Sequence, residues 1–558
     1  MKQFVIALCF TMFTGSLLAQ KIRPVPVWLK TAVFYQIYPQ SFQDTNNDGI
    51  GDIKGITQRL DYIQWLGCNA IWINPCFESP FFDAGYDVTD YYKVAPRYGT
   101  NQDLENLFKE AHKRNIKVCL DLVAGHTSDQ HPWFKASQQQ TPNEFSDRYI
   151  WTNDSTLKPE KFVAGKFERN GTYRKNFFDV QPALNYGYGK PNPANLWEQP
   201  VTAEGPQKTK AELIRIMDFW MDKGADGFRV DMAGSLVKND PDLAATNKLW
   251  KDIRSHFQSK YADGILIAEW GDPAKSIKAN FMMDFLIHLR NSGYSSMFFN
   301  KEGVYRHDTC YFSSQGNGSP VNFINIYNQQ LKEVIAGKGY LCLPTSNHDF
   351  QRPASGDRNT LEQLKAAMVF FLTLPSVPLV YYGDEIGMKY ISGLPNKEGS
   401  VLSKGNRAGT RTPMQWDKTK GAGFSGADPG KFYLPLDSSL NRPDVATQLA
   451  DSSSLLHFTR KLLALKSTSK ALRTEGIIKF YNTAEHTYPL VYQRKFKNET
   501  FLIVINPSAK EQAIHIQADK KVKKVNSAIV DGIELNADKS KGLIITAKAC
   551  GYGIFKLN

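Results

Sequence analysis

Short apolar runs alternate with amphipathic stretches along most of the chain. Runs at 32–39, 70–75, 117–123, 227–231, 264–269, 280–285, 339–349 and 378–385 are continuously apolar, which predicts strands buried on both faces. Helical periodicity follows at 56–66, 101–114, 211–223, 247–260, 321–336, 360–373 and 453–465. Eight such strands alternating with helices predict an α/β protein built on a (β/α)8 barrel. The segment after the third strand is aromatic, rich in Gly and Pro, and too long for a simple connection, so it reads as an inserted irregular subdomain. Beyond about residue 473 the helices stop. Short strands at 477–481, 490–494, 500–505, 513–516 and 543–547 predict a small antiparallel β-sandwich. The expected organisation is a barrel over 20–126 and 209–473, a subdomain over 127–208, and a sandwich over 474–558.

The first residues do not belong to this scheme. Lys2 precedes an apolar run, 4–13, and a small residue stands at Ala19. This is the pattern of a secretory signal peptide over 1–19, too short to span a bilayer, and it predicts an exported protein, periplasmic or secreted. No later stretch is long and apolar enough to cross a membrane. The net charge of +13 is spread through the sequence without a basic motif interleaved with aromatics, so the reading is a solvated basic surface and not nucleic-acid binding. Cys68, Cys76, Cys119, Cys310, Cys342 and Cys550 are scattered, without metal-ligand spacing, and read as buried thiols with room for at most one bridge after export.

One loop has the alternation of a cation site. In 44–52, oxygen donors recur at Asp44, Asn46, Asp48 and Asp52, with the Ile50 carbonyl in register and Gly49 at the turn. This predicts a structural Ca²⁺ loop without the closing glutamate of an EF-hand.

The candidate chemistry lies where strands end. Asp226-Gly-Phe-Arg-Val-Asp231 places Arg229 and Asp231 on one face of a strand, where the guanidinium is expected to lower the acid's pKa. Taken alone, Arg-x-Asp is more often an ion pair closing a strand. Here, however, His126, Glu269, His348 and Asp349 also stand at strand ends and would converge on the C-terminal rim of a barrel. Three mutually repelling carboxylates on one rim suit catalysis better than structure. Paired carboxylates, one ionised and one protonated, are the apparatus of glycoside hydrolysis. Glu269, in an apolar run beside Trp270, is the one expected to keep its proton.

These residues carry a resemblance. Asp121-Leu-Val-Ala-Gly-His126, Gly227-Phe-Arg-Val-Asp231, Ala268-Glu269-Trp270 and Thr345-Ser-Asn-His-Asp349 resemble, in order, the motifs of glycoside hydrolase family 13, the α-amylase family. Gln181-Pro-Ala-Leu-Asn185, the 44–52 loop, Gly383-Asp-Glu-Ile-Gly-Met388 and Arg411-Thr-Pro-Met-Gln-Trp-Asp417 are similar to the oligo-1,6-glucosidase branch, and 422–435 to the trehalose synthases.

The resemblance implies a retaining mechanism on a small oligosaccharide, without an organic cofactor. Asp231 would be the nucleophile, Glu269 the acid/base and Asp349 the transition-state stabiliser. It further implies that His126, Arg229 and His348 bind the glucose and that Tyr86 stacks on it. Asp87 and Arg411 would form a pair closing the pocket behind the non-reducing end. The function expected is an α-glucosidase, with a trehalose synthase-like isomerase as the rival and a non-catalytic glucan-binding protein as a distant third. Three positions depart from the family. Gly125 stands where Asn is usual, Ala183 replaces an Asp, and Met232 follows the nucleophile where Val or Ala commonly separates α-1,6 from α-1,4 preference.

Overall fold

The computed structural model describes residues 23–286, 293–298, 310–398, 407–481, 483–517, 524–537 and 542–557. The signal peptide read over 1–19 lies outside the described residues. Eight parallel strands close into a barrel: β1 Phe34–Ile37, β2 Ala70–Ile73, β3 Lys117–Leu122, β4 Gly227–Val230, β5 Ile265–Ala268, β6 Met283–Phe285, β7 Tyr340–Pro344 and β8 Val377–Tyr381. They pair in chain order, and β8 returns to β1. Their residues are buried almost throughout, which is why the sequence shows unbroken apolar runs and not alternation.

The outer helices include α1 Asn101–Lys113, α2 Glu204–Asp222, α3 Ala244–Lys260, α4 Val321–Ala336, α5 Leu361–Thr373 and α6 Leu455–Thr468. Local signals fix where several begin. Thr100 and Asp103 cap α1 reciprocally, and Thr360 and Gln363 do the same for α5. Helix α2 starts seven residues before the amphipathic pattern at 211 does, and it carries Pro206 in its first turn, where a missing N–H costs nothing. Helix α2 thus begins within the last residues of the 127–208 stretch.

The C-terminal strands are β9 Ile477–Tyr481, β10 Leu490–Phe496, β11 Glu499–Ile505, β12 Gln512–Gln517, β13 Val525–Ala537 and β14 Gly542–Leu557. They are antiparallel as expected but form one hydrogen-bonded sheet. The long β14 pairs with β12 through its first half, with β11 through its second, and with β13 along both. The sheet folds over a small core of its own, including Val491, Leu502, Val504, Ile516, Leu543 and Phe555. Its other face, through Tyr492, Ile503, Ile505 and Ile554, joins the main core of the barrel.

Among the described residues no helix is long and apolar enough to cross a membrane. All six described cysteines are free thiols, and the five at 68, 76, 119, 310 and 342 are buried.

Candidate active site

Register places the central group. Asp121 on β3 and Arg229 on β4 are direct neighbours across the ladder, and the Arg229 Nη1 to Asp121 Oδ1 distance is 2.6 Å. The same guanidinium reaches Asp231 Oδ1 at 3.1 Å through Nη1 and Glu269 Oε1 at 2.6 Å through Nη2. Asp231 and Glu269 follow β4 and β5 directly, and their backbone amides still pair with the preceding strands, at Leu122 and Val230. One buried cation thus holds three carboxylates and can neutralise only one of them. That deficit makes a proton on one acid favourable.

Burial pushes Glu269 up to about 8, opposed by Arg229 and reinforced by the charges of Asp231 and Asp349. Burial also outweighs Arg229 at Asp231 and raises it to about 6. The expectation that Arg229 would depress Asp231 is corrected here, because desolvation is the larger effect at this depth. The order of the two acids survives: near neutral pH Asp231 is ionised while Glu269 keeps its proton.

Asp349 is held by a different set of partners. Asn347 Oδ1 accepts the amides of Asp349 and Phe350, an Asx turn that presents His348 and Asp349 beyond β7. Burial would raise Asp349, but the guanidiniums of Arg407 and Arg411 outweigh it and hold the carboxyl well below the usual range. Burial drives the His348 imidazole well below its ordinary value, so it is neutral and the anion rests on the two arginines. Arg407 Nη1 lies 2.7 Å and Arg411 Nη2 3.0 Å from Asp349 Oδ1. His348 Nε2 lies 2.9 Å from the Tyr86 hydroxyl, and the two rings stack at 5.6 Å. The Tyr86 hydroxyl in turn donates to Asp121 Oδ2 at 3.0 Å. With His126 Nε2 lying 2.8 Å from the Tyr86 carbonyl, Tyr86, His126, Arg229 and His348 are gathered with the three acids in one connected group.

The pair expected at Asp87 and Arg411 is not formed. Asp87 is fully buried and accepts the Ser79 hydroxyl and the amides of Phe82 and Asp83, so its carboxyl folds the preceding turn. Arg411 is turned inward, donating to the His348 carbonyl at 2.7 Å and to Asp349. Asp83 and Arg407 make the bridge instead, at 3.2 Å, and Arg407 continues to Asp349. Neither residue was singled out in the sequence. Asp83 lies three residues before Tyr86, and Arg407 lies just before the 411–417 motif.

Residues 36–475 match the alpha amylase catalytic domain model. The chain belongs to the alpha-amylase family. It is 32% identical over 489 residues to a trehalose synthase/amylase from Mycolicibacterium smegmatis, covering 80% of this chain and 77% of the relative. It is also 32% identical over 545 residues to a glucan 1,6-alpha-glucosidase from Streptococcus pneumoniae, covering 90% and 95%. Isomaltulose synthase from Erwinia rhapontici NX5 superposes with a TM-score of 0.79 at 26% identity, over 96% of this chain and 100% of that one. A family of this kind acts as glycoside hydrolases on oligosaccharides and needs no organic cofactor.

Against the family's motifs, the inserted segment supports the site directly. Gln181 donates from Nε2 to Asp83 Oδ2 at 2.8 Å, and Leu184 pairs with the Gly125 carbonyl at the end of β3. The 44–52 loop is a different matter. Asp44 Oδ1 accepts the amides of Asn46 and Asn47, and Oδ2 accepts Gly49 N–H and the Ser425 hydroxyl. Asp52 accepts Thr45 with both oxygens and caps the helix Ile53–Gln58 through Gly55. Asp44 and Asp52 thus fold the loop through its own amides and hydroxyls. Asp48 and Asn46 close Asx turns on Ile50 and Asp48. Among the described residues no cluster of three His, Cys, Asp or Glu is placed to hold a metal. The loop is closed by side chain–amide bonds and by the 421–432 stretch.

Proposed function

We propose that this chain is a retaining α-glucosidase acting on short α-glucosides of the maltose or isomaltose type from the non-reducing end. The observation that carries the reading is that Asp231 and Glu269 share the Arg229 guanidinium, with burial raising Glu269 above Asp231. Asp231 attacks the anomeric carbon while Glu269 gives its proton to the departing oxygen, leaving a glucosyl ester on Asp231. Glu269, now a carboxylate stabilised by Arg229, takes a proton from water, which opens the ester with net retention. Asp349, held anionic by two arginines, faces the positive charge that develops on the ring. The Asp83–Arg407 bridge beside Asp349 supports exo action, because it ties the loop before Tyr86 to the segment before Arg411.

A second reading is an isomerase of the trehalose synthase kind, in which a sugar hydroxyl replaces water. It is favoured by relatives of that name, one of which, from Pimelobacter, spans 95% of this chain at 29% identity. The stretch 422–435 adds little to it, since Ser425 and the Lys431 carbonyl contact the 44–52 loop and not the carboxylates. Incubation with maltose, isomaltose, trehalose, sucrose and maltooligosaccharides decides between them. Glucose release that disappears in Asp231→Asn is the expected result, and accumulation of trehalose from maltose with little free glucose would replace the hydrolase by the isomerase. We also infer export to the periplasm or medium from the 1–19 segment, testable as mature protein beginning at Gln20.

A further inference from the structure

Lys238 is a lysine 7% exposed whose ammonium, among the described residues, meets no carboxylate. Its Nζ donates to the Ser235 carbonyl at 2.5 Å and to Asn176 Oδ1 at 3.1 Å. A buried cation with only dipolar acceptors is costly, and burial together with Arg174 and Lys161 pushes this one down to about 7. Asn176 belongs to the inserted segment, Lys238 to the loop after β4, and together they reach into the active site. With Oδ1 turned to the ammonium, the amide can present only N–H groups elsewhere. One goes to His126 Nδ1 at 3.0 Å and one to Met232 Sδ at 3.8 Å. Nδ1 is then an acceptor, so Nε2 carries the proton and donates to the Tyr86 carbonyl at 2.8 Å. Reversing the amide would set NH2 against the ammonium and oxygen against the Nδ1 lone pair.

The backbone at Gly125 completes the argument. A Cβ there would lie 2.8 Å from Asn176 Nδ2. Any side chain at 125 would push the amide away from His126.

We propose that Lys238 and Asn176 form a positioning unit that locks the tautomer and orientation of His126, and that Gly125 is the residue that admits it. The proposal rests on the reading of this cleft as a glucoside site. Lys238 reaches His126 only through Asn176, so their effects on His126 do not add.

The test is kcat and KM on an aryl α-glucoside for N176A, K238M, G125A and the double variants. Each single change is expected to lower kcat/KM about tenfold with little change in Tm. N176A/K238M should be no worse than the poorer single variant, K238R should recover most of the loss, and G125A should cost nothing further once Asn176 is Ala. Additive losses, or an N176A or K238M enzyme within twofold of wild type, would overturn the positioning unit. Because Gly125 and Asn176 can be tested with Lys238 intact, a K238M protein that fails to fold does not protect the idea. Wild-type protein that turns over no α-glucoside would overturn the functional reading and this one together; active wild type with additive losses overturns this one alone.

Discussion

The backbone amide of Met232 donates to Glu269 Oε2 at 3.1 Å, so the residue that follows Asp231 in sequence holds the acid that lies beside it in space. Met232 reaches that position in a left-handed conformation, φ 45° and ψ 40°, which costs a non-glycine residue about 1 kcal/mol. Turning the chain there releases β4 and aims the amide back across the site. Gly234 then lies under Trp270, where a Cβ would be 2.4 Å from the indole ring. The two carboxylates are thus joined twice, through Arg229 below and Met232 at the rim.

The pH dependence follows from that coupling. On the proposed mechanism Asp231, raised to about 6, must lose its proton to attack, so kcat/KM is expected to rise with pH through that region. Glu269, raised to about 8, must keep its proton for the leaving group, so kcat/KM falls above it. The expected profile is a bell with its maximum near pH 7, and the two limbs are properties of the coupled pair. A profile that stays flat to pH 10 would remove Glu269 from the role of acid.

Glu269→Gln separates the two steps. Natural disaccharides need the proton, and their hydrolysis should fall by about 10³-fold or more. Dinitrophenyl α-glucoside, whose leaving group needs none, should still glycosylate Asp231 and give a burst, since Gln retains the size of Glu and an oxygen facing Arg229. Azide, needing no general base, should speed the second step. Equal loss on both substrates would contradict the assignment.

Much of this was legible in the sequence because strands of a closed parallel barrel are buried on both faces and announce themselves as apolar runs. Asp231, Glu269 and Asp349 follow from where those runs end. What escaped reading has physical reasons. Strand β13 is half-exposed and polar, with Asn526, Ser527, Asp531 and Asn536 in it, and it exists because β14 offers an edge along its whole length. Asp83 and Arg407 come from irregular connections, where no periodicity marks a side chain that turns inward. Asp87 was misread because its neighbour Tyr86 does point into the site, while adjacent residues in a tight turn point to different sides. The 44–52 loop has the composition of a cation site, yet the same oxygens can be satisfied by the amides of the loop itself.

The attachment of the C-terminal sheet offers a stability test away from the site. Arg494 on β10 is fully buried and donates to the carbonyls of Thr373, Leu472, Arg473 and Gly476, which terminate α5 and the linker after α6. Arg494→Met keeps the volume but strands those acceptors, and should destabilise by about 2–4 kcal/mol. The readout is a lowered apparent Tm by calorimetry, with kcat/KM at 25 °C within about threefold of wild type. An unchanged Tm would mean that the sheet is not held by this arginine.

The exchange of partners between Asp87 and Asp83 gives opposite signatures at two acids four residues apart. Asp83 Oδ1 bridges to Arg407, which also holds Asp349, and Asp83 Oδ2 is held by Gln181. Removing it by Asp83→Ala frees Arg407 beside Asp349. Hydrolysis of maltose should fall about 10–100-fold in kcat/KM, with a smaller loss on longer maltooligosaccharides, whose extra units contact other parts of the cleft. Asp87→Ala removes the acceptor of two buried amides and one hydroxyl, each costing about 1–3 kcal/mol when left unpaired. Its signature is a fall in Tm, with kcat/KM per folded enzyme reduced by no more than about threefold. A chain-length preference that shifts in Asp87→Ala and not in Asp83→Ala would return the role to the pair first expected from the sequence.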